Sequence, residues 1–548
     1  MVLSALKPVI QVAEELGIPQ DSLNFYGKWK AKIAFEAVRN LTRAKRGKLI
    51  LVTAMSPTPF GEGKTVTAIG LGMGLAKLGH RSVVCLRQPS LGPVFGIKGG
   101  AAGGGKSTVE PMQEINMGFT GDINALGVAH NLLAAVIDNH LFQGNELGID
   151  WRTINWPRTM DMNDRSLRST VIGLGGKTDG IPRQDGFVIT AASEVMAILC
   201  LSKDYADLKQ RLGKITIGYT RDGKPVRAAD LKVVGAMAAV LRDALEPNLV
   251  QTAEGTPALI HGGPFANIAH GTASLISIQL GLGLADYCVV EAGFGSDLGA
   301  EKFVDIAARV GGLNVDAAMV VASIRALRYH GGAVKTQANA SNPDAVKKGL
   351  DNLGKHIENV RSLGPMPIVA LNKFQSDTEE EIQLVERFCR TQGIPFAIST
   401  VFEDGGQGAV DLARQAASAA NRGQQSHPIY PLEAPIEQKL EAIATAIYGA
   451  KGVDYSQDAK KDIQRLNSLG LVNEPVCVAK TPLSLTDDPS KIGRPREFNV
   501  LVRRLHAATG AGFNIAYMGD IVVMPGLPKA PAAENIKLSD DGVVSGVF

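Results

Sequence analysis

The residues best suited to chemistry lie between positions 50 and 67, where the sequence reads ILVTAMSPTPFGEGKTVT. A short apolar run comes first and predicts a buried strand. A turn-rich stretch with two glycines follows, and Gly-Lys-Thr then opens a predicted helix. Strand, glycine-bearing loop and helix in this order are typical of a cradle for nucleotide phosphates. We therefore predict that ATP is bound by Thr58, Pro59, Phe60, Gly61, Glu62, Gly63, Lys64 and Thr65.

Each residue type in this loop suits a phosphate group. Gly61 and Gly63 let backbone N–H groups converge on an anion, and the helix N-terminus adds about half a positive charge. Lys64 can reach the β- and γ-phosphates, and the Thr65 hydroxyl can hold Mg²⁺. The strict motif has glycine at position 58, where this chain has Thr58. The flanking strand and helix, and a second strand at βαβ spacing, favour nucleotide binding over a structural turn.

Arg87 directly follows that second predicted strand, Ser82–Leu86. Ligands of open α/β sheets lie beyond the carboxyl ends of the strands. The guanidinium therefore either grips a phosphate or carboxylate delivered by the cradle, or belongs to an ordinary surface arginine. A glycine-rich run, Gly96–Gly105, comes next; such runs are usually linkers, but this one follows a nucleotide-binding unit directly.

Length and composition restrict the class of protein. A chain of 548 residues is too long for one core, so two to four domains are expected. A formal charge of +3 gives no sign of a nucleic-acid or membrane surface. The five cysteines are scattered, which argues for a reducing compartment and against zinc or a disulfide frame. With no signal-peptide pattern and no apolar span of 18 residues, we expect a cytoplasmic protein.

The order of helix and strand patterns predicts an α/β fold. It consists of a phosphate-loop domain with a doubly wound, mainly parallel sheet over 1–345, and two smaller α/β domains over 346–425 and 426–548. Polar, turn-rich segments mark the two boundaries. Within this scheme the residues Lys28–Arg43 are predicted to be helical, and Phe402 is placed in a loop.

Two further patterns suggest specific ligands. The histidines His261, His270 and His330 invite a metal site, but their spacing matches no common ligand motif, which favours hydrogen-bonded loop histidines. Asn372-Lys373 is similar to the start of the guanine-binding N-K-x-D motif. Position 375 is Gln375 where aspartate is needed, so GTP is not predicted.

Four stretches together resemble formate–tetrahydrofolate ligases over nearly the whole chain. They are TPFGEGKT at 58–65, GIKGGAAGGG at 96–105, HGGPFANIAHG at 261–271 and VASIRALRYHGG at 321–332. DMNDR at 161–165 and MPGLP at 524–528 add support. The resemblance implies that the protein joins formate to tetrahydrofolate through formyl phosphate, giving 10-formyltetrahydrofolate, ADP and phosphate. It implies ATP with Mg²⁺, formate and tetrahydrofolate as bound small molecules and a homotetramer as the assembly, and it leaves a monovalent cation open.

The resemblance also assigns roles to individual residues. Lys64 and Arg87 would be catalytic, with Arg87 holding formyl phosphate. Phe374 and Phe402 match the two aromatic positions between which the family stacks the pterin, in keeping with the affinity of flat heterocycles for aromatic faces. Two residues depart from the common family pattern: Gln88 stands where many bacterial members have glutamate, and Phe402 where tryptophan is common.

Two other classes remain as alternatives at this point. One is a different acyl-phosphate ligase on a phosphate-loop scaffold, similar to dethiobiotin synthetase. The other is a non-enzymatic, ATP-switched protein that binds a partner. The stretches at 96–105 and 261–271 speak against the first, and no large exposed apolar helix face supports the second. Formate-dependent release of ADP would separate the three classes.

Overall fold

The computed structural model describes residues 6–42, 47–98, 100, 102–176 and 178–547, with the side chain of residue 98 left aside. The last position of the predicted helix Lys28–Arg43 and two positions of the glycine-rich run Gly96–Gly105 lie outside the described residues. None of the helices in the described ranges combines the length and the apolar content that a membrane crossing requires.

The strands are, in chain order, β1 Leu23–Phe25, β2 Ala31–Ile33, β3 Lys48–Ala54, β4 Ser82–Leu86, β5 Gly103–Gly104, β6 Ser107–Glu110, β7 Arg158–Met160, β8 Thr170–Ile172, β9 Arg183–Asp185, β10 Phe187–Ile189, β11 Thr216–Tyr219, β12 Pro225–Arg227, β13 Asn248–Thr252, β14 Pro257–Ile260, β15 Tyr287–Glu291, β16 Ala317–Ser323, β17 Met366–Asn372, β18 Phe396–Ser399, β19 Gly452–Tyr455, β20 Val476–Ala479, β21 Asn499–Val502, β22 Arg504–Ala508, β23 Phe513–Tyr517, β24 Lys537–Leu538 and β25 Val544–Ser545.

The α-helices are α1 Val9–Glu15, α2 Phe35–Leu41, α3 Lys64–Lys77, α4 Leu91–Pro93, α5 Met112–Asn116, α6 Asp122–Phe142, α7 Glu194–Leu201, α8 Tyr205–Lys214, α9 Val234–Val240, α10 Leu275–Leu284, α11 Arg309–Gly311, α12 Ile324–His330, α13 Pro343–Ser362, α14 Glu379–Thr391, α15 Val401–Asp404, α16 Val410–Ala420, α17 Ile436–Ile443 and α18 Gln457–Ser468. Short 3₁₀ and π-helical turns join several of them.

One large, mainly parallel sheet organises the molecule, as the sequence predicts. Its central strands lie in the order β14-β4-β15-β3-β16-β17-β18, and each neighbouring pair is parallel. Antiparallel strands β13, β2, β1 and β6 extend the β14 edge. The chain leaves β3 toward β4 on one side, while β16, β17 and β18 lie on the other. The carboxyl end of β3 is therefore the point at which a doubly wound sheet offers a ligand crevice.

Alternating side chains of β3 belong to two separate hydrophobic clusters. Leu49 and Leu51 pack in one cluster, and Ile50 and Val52 pack in the other with apolar residues of α3. All four are fully buried. A parallel strand covered on both faces reads as a continuous apolar run, which is why this segment could be identified from the sequence.

The segment 346–425 continues the same sheet. Strand β17 pairs with β16 along its full length, from Ala317 opposite Met366 to Ser323 opposite Asn372, and β18 pairs with β17. The sequence pattern suggests a second, smaller α/β unit here, whereas the pairing makes these strands the edge of the main sheet. The proposed division of the chain at 345 and 425 stays a prediction.

One predicted helix is wrong in its first half. Within Lys28–Arg43, the residues Ala31–Ile33 form β2, and the helix begins only at Phe35. The reason is tertiary: β2 pairs with β1 and β13, and the buried Lys32 ammonium lies 2.7 Å from Asp122. Local helix propensity is a weak preference that such contacts override.

The C-terminal part forms separate small sheets and is packed on the first part through buried polar contacts. Strands β20, β23 and β22 pair in that order, and β19 pairs with β21. Lys480 lies 2.7 Å from Asp297, and both side chains are fully buried. The 509–511 turn contacts the first part through Thr509 and Thr216.

Candidate active site

The phosphate loop connects β3 to α3, as predicted. Gly61 and Gly63 both have φ of 76°, a conformation that favours glycine. At Gly63 the packing is an additional constraint, because a Cβ there would lie 2.5 Å from Asn372 Nδ2. Helix α3 begins at Lys64, so the free N–H groups of its first turn lie directly after the loop.

Asn372, at the end of β17, ties the loop to the sheet. Its Nδ2 donates to the Glu62 carbonyl oxygen at 2.6 Å, and its Oδ1 accepts from Thr67 Oγ1 at 2.9 Å. Both bonds are buried. The pair Asn372-Lys373, which is similar to a guanine-binding motif, thus contributes its asparagine to the shape of the phosphate loop.

The Glu62 side chain forms a hydrogen bond inside the phosphate loop. Its Oε1 accepts from Thr58 N at 2.6 Å, so Thr58 supplies a backbone donor to the loop itself. Burial raises the pKa of Glu62, with the nearby Lys64 ammonium acting in the opposite direction. Lys64 is half-buried, forms no ion pair with another described residue and lines the cavity described below, so a ligand can approach its ammonium.

Arg87 and Thr65 meet at one carboxylate. Glu291, the last residue of β15, accepts from Thr65 Oγ1 at 3.0 Å through Oε2, and its Oε1 lies 3.8 Å from Arg87 Nη2. Arg87 Nη1 donates to the Pro264 carbonyl oxygen at 3.3 Å, and its Nε is buried without a partner among the described residues. Arg87 is thus fixed through Nη1 and Nη2, while its Nε remains available to a ligand.

These groups line one cavity of about 590 Å³. Five residues of the predicted ATP loop line the cavity: Gly61, Glu62, Gly63, Lys64 and Thr65. Arg87 and Glu291 also line it. The stretch 261–271 adds Gly263, Phe265, Ala266 and Asn267, and the C-terminal part adds Val522 and Pro525. Thr58, Pro59 and Phe60 complete the loop without lining this cavity: Thr58 is buried, Pro59 exposed and Phe60 half-buried.

Stretches that are far apart in the sequence support one another around the cavity. Asp161 accepts from Leu91 N at 3.0 Å and also from the Ser90 hydroxyl. Arg168 Nε donates to the Met524 carbonyl oxygen at 2.9 Å. Gln88 N donates to the Gly262 carbonyl oxygen at 2.6 Å. The loop that carries Arg87 is therefore fixed by the 161–168 and 261–271 stretches, and the 524–528 stretch in turn contacts the 161–168 stretch.

The two predicted folate-stacking residues follow neighbouring strands, β17 and β18, outside the lining of this cavity. Phe374 faces the guanidinium of Arg325, 4.7 Å from the ring centroid, and the same guanidinium lies 5.0 Å from the Phe60 ring. Phe402 belongs to the short helix α15, not to a loop, and is 53% exposed. A Cβ on Gly104 would lie 3.1 Å from its ring, so the glycine run packs beside it.

Two of the three singled-out histidines are hydrogen-bonded, as expected. His261 bonds to Ser274 Oγ and the Ala244 carbonyl oxygen, and His330 bonds to the Ser56 carbonyl oxygen and Gly493 N. His270 differs: it is fully buried, and neither ring nitrogen has a partner among the described residues. Burial, reinforced by Arg211 and Arg87, lowers the pKa of His270 to about 3, so the ring is neutral.

The donor set suits Mg²⁺ bound together with nucleotide phosphates. Among the described residues no group of three or more His, Cys, Asp or Glu could hold a metal ion. Magnesium is commonly held by one or two protein oxygens plus substrate phosphates, and Thr65 Oγ1 and the Glu291 carboxylate are such oxygens. The phosphate-loop motif predicts Thr65 but not Glu291. The signal for Glu291 was its position as the polar terminus of an apolar strand.

Comparison with known proteins identifies the family of the chain. A sequence model of the family described as formate–tetrahydrofolate ligase matches residues 3–548. A protein of Pseudothermotoga lettingae named formate–tetrahydrofolate ligase is 53% identical over 543 residues, which cover 99% of this chain and 98% of the relative. One shared domain or loop would not give a match over nearly the whole length of both chains. The chain therefore belongs to the formate–tetrahydrofolate ligase family.

Proposed function

We propose that this ligase makes formyl phosphate in the cavity between the phosphate loop and Arg87, and then passes the formyl group to tetrahydrofolate. The observation that carries the proposal is that Lys64, Thr65 and Arg87 line one cavity. A phosphate-binding loop alone would fit any ATP-dependent protein. Arg87 lies across the same cavity and places a second positive charge there. Such a charge suits a reaction that brings another anion to the γ-phosphate.

In the first step a formate oxygen attacks the γ-phosphorus of ATP. The bond from that phosphorus to the β,γ-bridging oxygen breaks, ADP leaves, and formyl phosphate forms. Positioning and charge stabilisation account for most of the catalysis in phosphoryl transfer. Lys64 lies at the helix N-terminus where the γ-phosphate would sit, and its positive charge offsets the charge on the transferring group. Bound Mg²⁺ would neutralise phosphate charge, with Thr65 and Glu291 as its protein ligands.

Arg87 would hold formyl phosphate. Its Nε has no partner among the described residues, and the fork is fixed at one end by the Pro264 carbonyl oxygen and Glu291. A planar guanidinium with free donors matches the paired oxygens of an acyl phosphate, which an ammonium group matches less well. Fixing the fork before the substrate arrives reduces the ordering cost of binding.

In the second step N10 of tetrahydrofolate attacks the formyl carbon, the carbon–oxygen bond to phosphate breaks, and the N10 proton passes to the departing phosphate. Phe374 and Phe402 follow adjacent strands at the same edge of the sheet as the phosphate loop. Stacking of the pterin on these rings would orient N10 without any charged contact. We further propose, as the resemblance implies, a homotetramer in the cytoplasm; light scattering after size exclusion measures the assembly.

An oxygen label tests the formyl phosphate step. If a formate oxygen attacks phosphorus, [¹⁸O]formate with ATP and tetrahydrofolate must yield phosphate carrying one ¹⁸O atom per turnover. Mass spectrometry of the released phosphate measures the transfer, and the Lys64→Ala variant supplies the background. Unlabelled phosphate at a full yield of 10-formyltetrahydrofolate would rule out the intermediate.

A further inference from the structure

A second cavity, of about 180 Å³, lies between the first part of the chain and the C-terminal sheet. Glu194, at the start of α7, lines one side, and His506 of β22 and Phe513 of β23 line the other. The turn between β22 and β23 contacts the same glutamate, because Gly510 N and Ala511 N donate to Glu194 Oε1 at 2.7 and 3.2 Å. The cavity is therefore built from two parts of the chain that are about 300 residues apart.

This second cavity is separate from the active-site cavity, although the two share a wall. The wall is one residue thick at three places, where one residue lines the active-site cavity and the next residue lines the second cavity. These pairs are Ala191 and Ala192, Asn267 and Ile268, and Val522 and Val523. Neither Lys64 nor Arg87 lines the second cavity, so an occupant there would be a molecule other than the substrates.

The size of the second cavity restricts its occupant. An engineered cavity of about 150 Å³ in another protein binds benzene. A volume of about 180 Å³ therefore has room for one aromatic ring with a small substituent, and not for a nucleotide or a folate. The walls suit such a ring, because the buried Trp156 and Phe513 line the cavity. Trp156 is itself stacked on His130, with 4.3 Å between the ring centroids.

Two polar groups in the lining have hydrogen-bonding capacity left for a ligand. Glu194 uses Oε1 for the turn, and its Oε2 accepts no hydrogen bond from another described residue. The His506 ring likewise has no hydrogen bond to the described part of the chain, and burial lowers its pKa, so the ring is neutral and offers one donor and one acceptor. Burial raises the pKa of Glu194 to about 7, against the effect of the two backbone N–H groups. A cationic partner would favour the charged form of such a carboxyl.

We propose that the second cavity binds a one-ring aromatic base, whose N–H groups donate to Glu194 Oε2 and whose ring packs against Trp156 and Phe513. An aliphatic amine would leave the aromatic walls without a flat partner. A hydrocarbon would leave the carboxylate and the His506 ring without hydrogen bonds. Binding here does not depend on the proposed function, because the lining contains none of the residues assigned to formyl transfer.

Isothermal titration calorimetry with 2-aminopyridine as the probe tests this site. Its protonated form presents two adjacent N–H donors on one ring. Glu194→Gln keeps an oxygen for the turn but places an NH₂ group where Oε2 was, so the affinity should fall roughly 10-fold or more, the scale of one hydrogen bond to a charged group. Glu246→Gln is the matched control. Glu246 is buried and accepts from Phe35 N at 3.3 Å, but it does not line the cavity, so this variant should bind the probe as the wild type does.

A second variant and a second probe complete the test. Ala197, which is 2% exposed, lines the cavity from α7. Ala197→Leu should fill the cavity and abolish binding, and it serves if Glu194→Gln does not fold. Toluene has the size of the probe without its N–H groups and should bind at least about 10-fold more weakly. Failure of the wild type to bind 2-aminopyridine would mean that the cavity holds only water and would overturn the proposal. Equal affinity for toluene, or unchanged affinity in Glu194→Gln or Ala197→Leu, would overturn it as well.

Discussion

Two arginines beyond the carboxyl ends of neighbouring parts of the sheet have opposite surroundings. Arg328, on α12, is fully buried and uses its donors on protein: Nε and Nη2 bond to Glu381, Nη1 to the Ala338 carbonyl oxygen and Nη2 also to the Ser376 carbonyl oxygen. Within the described part of the chain, Arg87 has one hydrogen bond at 3.3 Å, a carboxylate at 3.8 Å and a buried Nε without a partner. Residue type alone does not distinguish them.

The acids beside the two arginines differ in the same way. Burial by itself would raise the pKa of Glu381, but hydrogen bonds from Arg328, Asn342 and Thr378 outweigh it and lower the pKa to about 2. Glu291, beside Arg87, has the Thr65 hydroxyl as its nearest side-chain partner. Completed hydrogen bonding marks a structural pair, and unused donors and acceptors mark a ligand site.

The largest effect is expected at the structural pair. Arg328→Met leaves Glu381 buried and without its guanidinium, which should cost about 3–5 kcal/mol of unfolding free energy. Urea denaturation of the purified variant measures it. Arg414→Met, which breaks an exposed ion pair with Asp411, is the matched control and should change stability by less than about 0.5 kcal/mol. Equal stabilities for the two variants would contradict the structural role of Arg328.

Lys64→Ala should affect turnover and leave folding intact. The ammonium has no ion pair among the described residues, so its removal breaks no internal contact of that kind, but it removes a preorganised charge from the γ-phosphate position. A loss of roughly 10²-fold or more in kcat follows. Lys77→Ala, at the other end of α3, is the control and should retain turnover. Near-normal turnover in Lys64→Ala would exclude the residue from the mechanism.

Arg87→Lys should impair formyl transfer while ATP binding survives, because the nucleotide loop does not depend on the guanidinium. Lysine keeps the charge but cannot present two parallel donors. Single-turnover transfer and ATP affinity, measured on the same preparation, separate the two steps, and the melting temperature should remain near that of the wild type. Loss of nucleotide affinity with an intact transfer step would reverse the role assigned here.

The parts predictable from the sequence are those with a local signal. The apolar run of β3, the glycines and Gly-Lys-Thr are contiguous, and the structure places them as a strand, a loop and the start of α3. Glu291, Asn372 and Arg325 act across more than 200 residues or between strands, and no spacing within one segment reports such contacts. The same limit explains β2: the burial of Lys32 beside Asp122 is decided by partners about 90 or more positions away.

The smallest effect is expected at Phe402. This residue tests the same distinction between side chains that contact only protein and side chains that bind a ligand. Phe402 is 53% exposed, so part of its side chain is accessible to a ligand. If Phe374 and Phe402 flank the pterin, each contributes roughly 0.5–1.5 kcal/mol beyond buried area. Phe402→Ala should therefore raise KM for tetrahydrofolate by a corresponding factor, with KM for ATP and formate nearly unchanged.

Phe402→Trp is the complementary variant. The larger ring covers more of the pterin, so it should lower KM for tetrahydrofolate. Because Gly104 leaves only 3.1 Å between a notional Cβ and the Phe402 ring, the indole has to extend away from the glycine run, toward the exposed side. A packing role predicts something else: both variants would lower the melting temperature, and neither would act selectively on folate. Three KM values and a melting temperature for each variant decide between the two.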